Sequence, residues 1–157
     1  MTSGALIRAA RLPEIDALSA LCLRSKAYWG YDEAFMALCV PTLRVSAGAI
    51  ADGLAFVAEF EGRPVGVHQL VLEGIRAELD LLFVDPPAIG TGIGRRLYRH
   101  AERLATSRGC RELSIIADPF ATAFYVAMGA RYVEDVPSDS IPGRMLPRYV
   151  HGLGPAR

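Results

Sequence analysis

The sequence is short of several things, and each shortage removes a class of function. Across 157 residues no segment reaches the roughly 18 to 20 uninterrupted apolar residues that a membrane-spanning helix requires. A secretory leader is not expected either, because Arg8, Arg11, Glu14 and Asp16 interrupt the start before an apolar core of leader length develops. Excess charge of one sign is missing: Lys+Arg and Asp+Glu number 17 each, so no net field draws in nucleic acid or an anionic membrane, and any anion site must be local. Cysteine is scarce and odd in number. Cys22, Cys39 and Cys110 show no metal-ligand spacing, so buried reduced thiols are expected, with no disulfide and no metal. Repeats, linkers and low-complexity tracts are absent as well. What remains is 52% hydrophobic and 22% charged, a globular composition that fits one domain over residues 1–157 and a cytoplasmic location.

The most informative stretch runs from Leu79 to Gly109. Its apolar run, residues 79–84, ends at Asp85-Pro86-Pro87, where proline offers no N–H and stops a central strand. Gly90, Gly92 and Gly94 follow at alternate positions, and then Leu97, Ala101, Leu104 and Ala105 recur at helical spacing opposite Arg95, Arg96, Arg99, Glu102 and Arg103. The segment reads as strand, glycine-rich turn and amphipathic helix. Several N–H groups at such a helix start converge where the macrodipole favours negative charge, so the turn suits a phosphate or pyrophosphate. A Walker A loop is ruled out because Gly94 is followed by Arg95-Arg96 rather than Lys-Ser/Thr. The dinucleotide fingerprint is ruled out by the G-x-G-x-G spacing in mid-chain.

The segment resembles motif A of the GCN5-related N-acetyltransferase (GNAT) family, Gln/Arg-x-x-Gly-x-Gly/Ala, as Ile89-Gly90-Thr91-Gly92-Ile93-Gly94, with Ile89 departing from the usual Gln or Arg. Two further segments are similar to the family. Residues 118–130 match Asn-x-x-Ala-x-x-Phe-Tyr-x-x-x-Gly-Phe, with Asp118 for Asn and Ala130 for the aromatic. Ile141-Pro142-Gly143-Arg144-Met145-Leu146-Pro147 is similar to the C-terminal segments of some members.

The rest of the pattern agrees in order. A short strand over 5–10 precedes a helix opened by Pro13-Glu14, and residues 33–38 and 46–52 read as further helical turns. Residues 54–60, 64–73 and 76–84 form a meander hinged at Glu61-Gly62-Arg63 and Glu73-Gly74. Residues 112–117 form a buried strand parallel to the last of these. Asp118 caps a helix closed by Gly129, and strands over 131–136 and 145–150 end the chain. The expected fold is α/β: a three-layer sandwich around a mixed, mostly antiparallel sheet of about seven strands, the order of elements that the family shows.

The resemblance implies acetyl-CoA as cofactor. Its pyrophosphate would rest on the N–H groups of Gly90, Thr91, Gly92, Ile93, Gly94 and Arg95, with Ile89 and Asp118 also on the cofactor side. Its pantetheine arm would pair with the main chain of Leu82, Phe83 and Val84 between two splayed strands. A Cβ at 92 or 94 would intrude on the phosphate. Strict alternation puts Glu78, Asp80, Leu82 and Val84 on one face of the strand and Ala77, Leu79, Leu81 and Phe83 on the other. Glu78 and Asp80 are therefore candidates for the base that deprotonates an amine, with His68 and Glu59 in reserve. Tyr125 corresponds to the family's tyrosine near the thiol, with a phenol pKa matched to a thiolate leaving group. An oxyanion donor is expected from the backbone near Phe83 or Val84. Tyr28, Trp29, Tyr31 and Asp32 crowd into a few residues and are assigned to the acceptor side.

The implied activity is acetyl transfer to a primary amine of a small molecule or peptide by direct attack in a ternary complex. The alternatives are a non-catalytic acyl-CoA sensor and a mononucleotide-binding domain. The late strands and the apolar excess would permit a homodimer.

Overall fold

Alternating apolar residues through the middle of the chain build the sheet on which the protein rests. The computed structural model describes residues 4–154. Strands β1 (Leu6–Ala9), β2 (Ala55–Phe60), β3 (Arg63–Glu73) and β4 (Arg76–Val84) pair antiparallel in sequence order. The β2–β3 turn uses Glu61 and Gly62 at φ 51° and 76°, the left-handed pair that matches the twist of a tight hairpin. Strand β5 (Glu112–Ile116) lies parallel to β4, and β6 (Arg131–Pro137) and β7 (Met145–Gly152) complete a seven-stranded sheet in the order β1-β2-β3-β4-β5-β7-β6. This is the mixed α/β sheet expected from the sequence.

Helices cover both faces. On one face α1 (Ile15–Ala27) and α2 (Glu33–Cys39) bring Leu18, Leu21, Cys22 and Cys39 against Val57, Val67 and Leu81. A short α3 (Ala47–Ala51) is capped by Ser46, which accepts from the Ala49 N–H. On the other face α4 (Ile93–Ser107) and α5 (Thr122–Met128) pack Tyr98, Ala101, Ala105, Tyr125 and Met128 against Leu70, Ala77, Leu79, Leu113 and Ile115. All three cysteines are buried and unbridged. No described helix is long and apolar enough to cross a membrane.

Two helix starts differ from expectation. Pro13 and Asp118 each open a single 3-10 turn, Leu12–Glu14 and Pro119–Ala121, before the α-helix begins. Pro13 stands second in its turn and Pro119 first; a proline there fixes φ and supplies no N–H, which suits a tight first turn.

The larger difference lies in β4. The β3 register steps from Gln69↔Leu81 to Leu70↔Leu79, so Asp80 is an extra residue on β4. Such a bulge breaks alternation. Ala77 and Leu79 pack on the α4 face, whereas beyond the bulge Leu81 and Phe83 pack with α1, and Leu82 and Val84 turn toward α4. The expected grouping of Leu82 and Val84 with Glu78, and of Leu81 and Phe83 with Ala77, is therefore reversed after residue 80.

Candidate functional site

The single parallel contact in the sheet is also where it opens. Strands β4 and β5 pair only from Arg76↔Glu112 to Glu78↔Ser114. Past that point β4 stays with β3, closed by the Asp85 N–H on the Val65 carbonyl at 2.8 Å, while β5 stays with β7 through Ile116↔Arg148. A cleft of about 630 Å³ lies at this divergence. Leu82, Phe83 and Val84 form one wall, and Ile89, Gly90, Gly92, Gly94 and Arg95 line one end. Glu78, Asp80, Ser138, Asp139 and Ser140 also line the cleft, as do Phe124 and Tyr125.

The glycine end is shaped by backbone conformation. Gly90 and Gly92 sit at φ +82° and +90°, a region that a side chain disfavours, and Gly92 is the N-cap of α4. The first intrahelical bond runs from the Arg96 N–H to the Gly92 carbonyl at 3.1 Å, so the N–H groups of Ile93, Gly94 and Arg95 precede the helical ladder. Gly94 has no positive φ. A Cβ there would meet Phe124 at 3.5 Å and Val84 at 3.6 Å, ordinary contacts. The backbone thus demands glycine at 90 and 92, not at 94. Thr91 and Ile93 can contribute main chain only, since the Thr91 hydroxyl donates to the Ala88 carbonyl and the Ile93 side chain is buried.

The carboxylates divide by partner. Glu78 accepts from Arg148 at 2.8 Å, and Arg148 also donates to Ser114 and approaches Glu134 at 3.4 Å. Asp80 accepts from the Gln69 amide at 2.8 Å, and burial raises its carboxyl above the usual range, aided by the charge of Asp139. Gln69 in turn accepts from the Ser46 N–H at 2.9 Å. Tyr125 lies on the cleft with its hydroxyl unpartnered among the described residues, and burial pushes its phenol well above the ordinary value. The reserve bases are elsewhere. His68 is fully buried on the α4 side, 2.9 Å from His100, with its pKa pushed down to about 3 by burial and then by His100. Glu59 is paired with Arg8 at 3.1 Å.

A family model described as the acetyltransferase (GNAT) family matches residues 23–130. The chain belongs to the GNAT acetyltransferases. No curated protein matches the sequence, but solved structures share the fold. The PaiA N-acetyltransferase of Thermoplasma acidophilum, in complex with coenzyme A, is 17% identical over 94% of this chain and 98% of its own, with a TM-score of 0.79. A GCN5-related N-acetyltransferase of Rhodopseudomonas palustris is 22% identical over 98% of both chains, at 0.78. The ribosomal-protein-S18-alanine N-acetyltransferase of Escherichia coli is 17% identical over 95% and 92%, at 0.67. Acetyl-CoA is the usual co-substrate of the family.

In this GNAT chain the aromatic stretch after α1 has divided duties. Only Trp29 reaches the cleft, stacked on Phe120 at 5.4 Å with ring planes 4° apart. Tyr28 is exposed against the Trp29 edge, Asp32 caps α2 by accepting from the Phe35 N–H at 2.8 Å, and Tyr31 donates to Asp118 at 2.8 Å. None of these three lines the cleft. Asp118 also accepts from Lys26 at 2.9 Å and from the Phe120 N–H at 2.9 Å. Burial opposes its ionisation, but the Lys26, Phe120 and Tyr31 bonds outweigh burial and hold its carboxyl below the usual range. The sequence reading missed Lys26, Thr42 and residues 138–140 as cleft residues. Thr42 and Ser140 meet at 2.5 Å across 98 positions of sequence, a juxtaposition that no local pattern announces.

Proposed function

We propose that this protein transfers an acetyl group from acetyl-CoA to a primary amine of a small molecule or peptide, with amine and thioester bound together. The observation that carries this reading is a continuous cleft. It joins a helix start with left-handed glycines to a freed strand edge and then to Asp80 and Tyr125.

The residues fit the cofactor. N–H groups at the start of α4 suit a diphosphate, the β4 edge over 79–84 offers main chain to an extended arm, and left-handed Gly90 and Gly92 leave open space where a side chain would stand. When bound, acetyl-CoA supplies an activated acyl carbon and a thiolate leaving group. This chain's residues do the rest. A free alkylammonium has a pKa of about 10, so the amine must lose its proton before it attacks. Asp80, raised by burial and free of a cationic partner among the described residues, takes that proton. Glu78 gives one oxygen to Arg148, which offsets its charge and fixes the wall, while its Oε2 has no partner among the described residues. Tyr125, on the cleft with its hydroxyl unpartnered among the described residues, would donate a hydrogen bond toward the departing sulfur, and the second proton, shed by the nitrogen after attack, would leave on the thiolate.

The test is release of free thiol from acetyl-CoA in the presence of a panel of diamines, amino acids, aminoglycosides and peptide N-termini. Amine-dependent release supports the reading. Tight coenzyme A binding without turnover on any amine would make the protein an acyl-CoA sensor.

A further inference from the structure

Resting on that reading, the structure assigns the last turn of α1 as a brace that sets the width of the cofactor cleft. Beyond Glu78↔Ser114 the sheet is two half-sheets, β1 to β4 and β5 to β6, with no strand pairing between them. The end of α1 crosses this gap. Arg24 bonds Asp85, the residue after β4, at 3.1 Å. Two residues later Lys26 bonds Asp118, just past β5, at 2.9 Å. Ser25, between them, is buried and faces the cleft. One helical turn therefore grips both diverging strand ends.

The Asp118 side of the brace is the more elaborate. Tyr31 donates to the same carboxylate, Arg144 from the β6–β7 connection donates to the Tyr31 hydroxyl at 2.9 Å, and Lys26 and Arg144 both lie over the Tyr31 and Phe35 rings. The Tyr31 phenol is pushed up to about 12 by burial and by Asp118, so it stays a donor. Lys26 is the only lysine among the 17 Lys+Arg of the chain. Its side chain is 13% exposed, a compact point charge where a guanidinium fork would need more partners. Cations in the last turn also complement the helix dipole.

The consequence is preorganisation. A cleft held at the width of the pantetheine arm before the cofactor arrives spares binding the cost of separating the two half-sheets. Arg24, Lys26, Tyr31 and Asp118 are positioning residues in this role. Asp118, which itself lines the cleft, also acts on it through the strand it anchors.

Arg24 and Tyr31 test this cleanly because neither lines the cleft, so neither can change affinity through a lost cofactor contact there. Calorimetric titration with coenzyme A should show Arg24→Met and Tyr31→Phe each about threefold to fivefold weaker, and the double variant about tenfold weaker, the scale of one ion pair plus one hydrogen bond. Arg24→Lys, which keeps the charge, should stay within about twofold. Melting temperatures recorded alongside separate a positioning role from general loss of stability, and the single variants decide the matter if the double does not fold. Wild-type protein that binds no coenzyme A would end the functional reading. Wild-type binding with both singles and the double within twofold of it would overturn the brace alone.

Discussion

Alanine placed at 92 and at 94, two residues apart in the same turn, should move stability in opposite directions. Gly92 sits at φ +90° with nothing within 4 Å of a built Cβ, so its replacement meets no neighbour and pays only for the left-handed backbone, about 1 to 2 kcal/mol. Gly94 lies inside α4 with ordinary φ, and its Cβ would rest at 3.5 Å from Phe124 and 3.6 Å from Val84. Alanine there recovers the helical cost of glycine, about 0.5 to 1 kcal/mol. The two variants should differ by roughly 1.5 to 3 kcal/mol, or about 3 to 12 °C in melting temperature for a domain of this size. Binding should separate them too. Gly92→Ala puts a methyl into the open space at the helix start that the proposal gives to the diphosphate and weakens coenzyme A about tenfold or more, since a hydrogen bond to a charged group is worth about 1.5 to 3 kcal/mol. Gly94→Ala, whose methyl faces protein, stays within about threefold. Thermal denaturation and calorimetric titration read both quantities. Equal stability of the two variants, or unchanged coenzyme A affinity in Gly92→Ala, would refute the account of the loop.

Three other outcomes follow from the site and the core. Asp80→Asn should lower kcat/KM about a hundredfold and remove the acid limb of the pH–rate profile; because burial raises this carboxyl, the wild-type rate should begin to fall at a pH above the ordinary aspartate value. Tyr125→Phe should reduce kcat about tenfold or more while coenzyme A affinity stays within about twofold, as loss of one donor acting on a developing charge requires. Buried His68 stays neutral in the folded state down to about pH 3. As pH falls below the unfolded value near 6.5, the unfolded chain binds a proton that the native state refuses, so denaturant titrations should lose about 1.6 kcal/mol between pH 6.5 and 5. A flat stability curve over that interval would show that His68 is not held neutral.

Elements governed by neighbours in sequence were legible in advance. The Asp85-Pro86-Pro87 stop, the glycine turn, the amphipathic α4 and the Gly129 cap at φ +107° follow from proline's missing N–H, glycine's freedom and the period of the helix. The parallel placement of β5 beside β4 follows from a crossover of that length. Motif A and the segment around Tyr125 pointed to the family because both are local patterns.

What tertiary structure alone decided are matters of register and long-range pairing. The bulge at Asp80 exists because β3 and β4 differ by one residue in pairing, and it reverses which side chains face α1, something alternation within one strand cannot reveal. Which carboxylate is ion-paired depends on what arrives opposite it: Arg148, 70 positions away, bonds Glu78, whereas Asp80 meets the neutral Gln69 amide. Likewise Tyr31, assigned to the acceptor side from its composition, donates to Asp118, 87 positions on. The sequence by itself determined which local conformations are cheap; only the folded chain, by bringing distant charges within 3 Å of one another, determined which of its polar groups are left free to react.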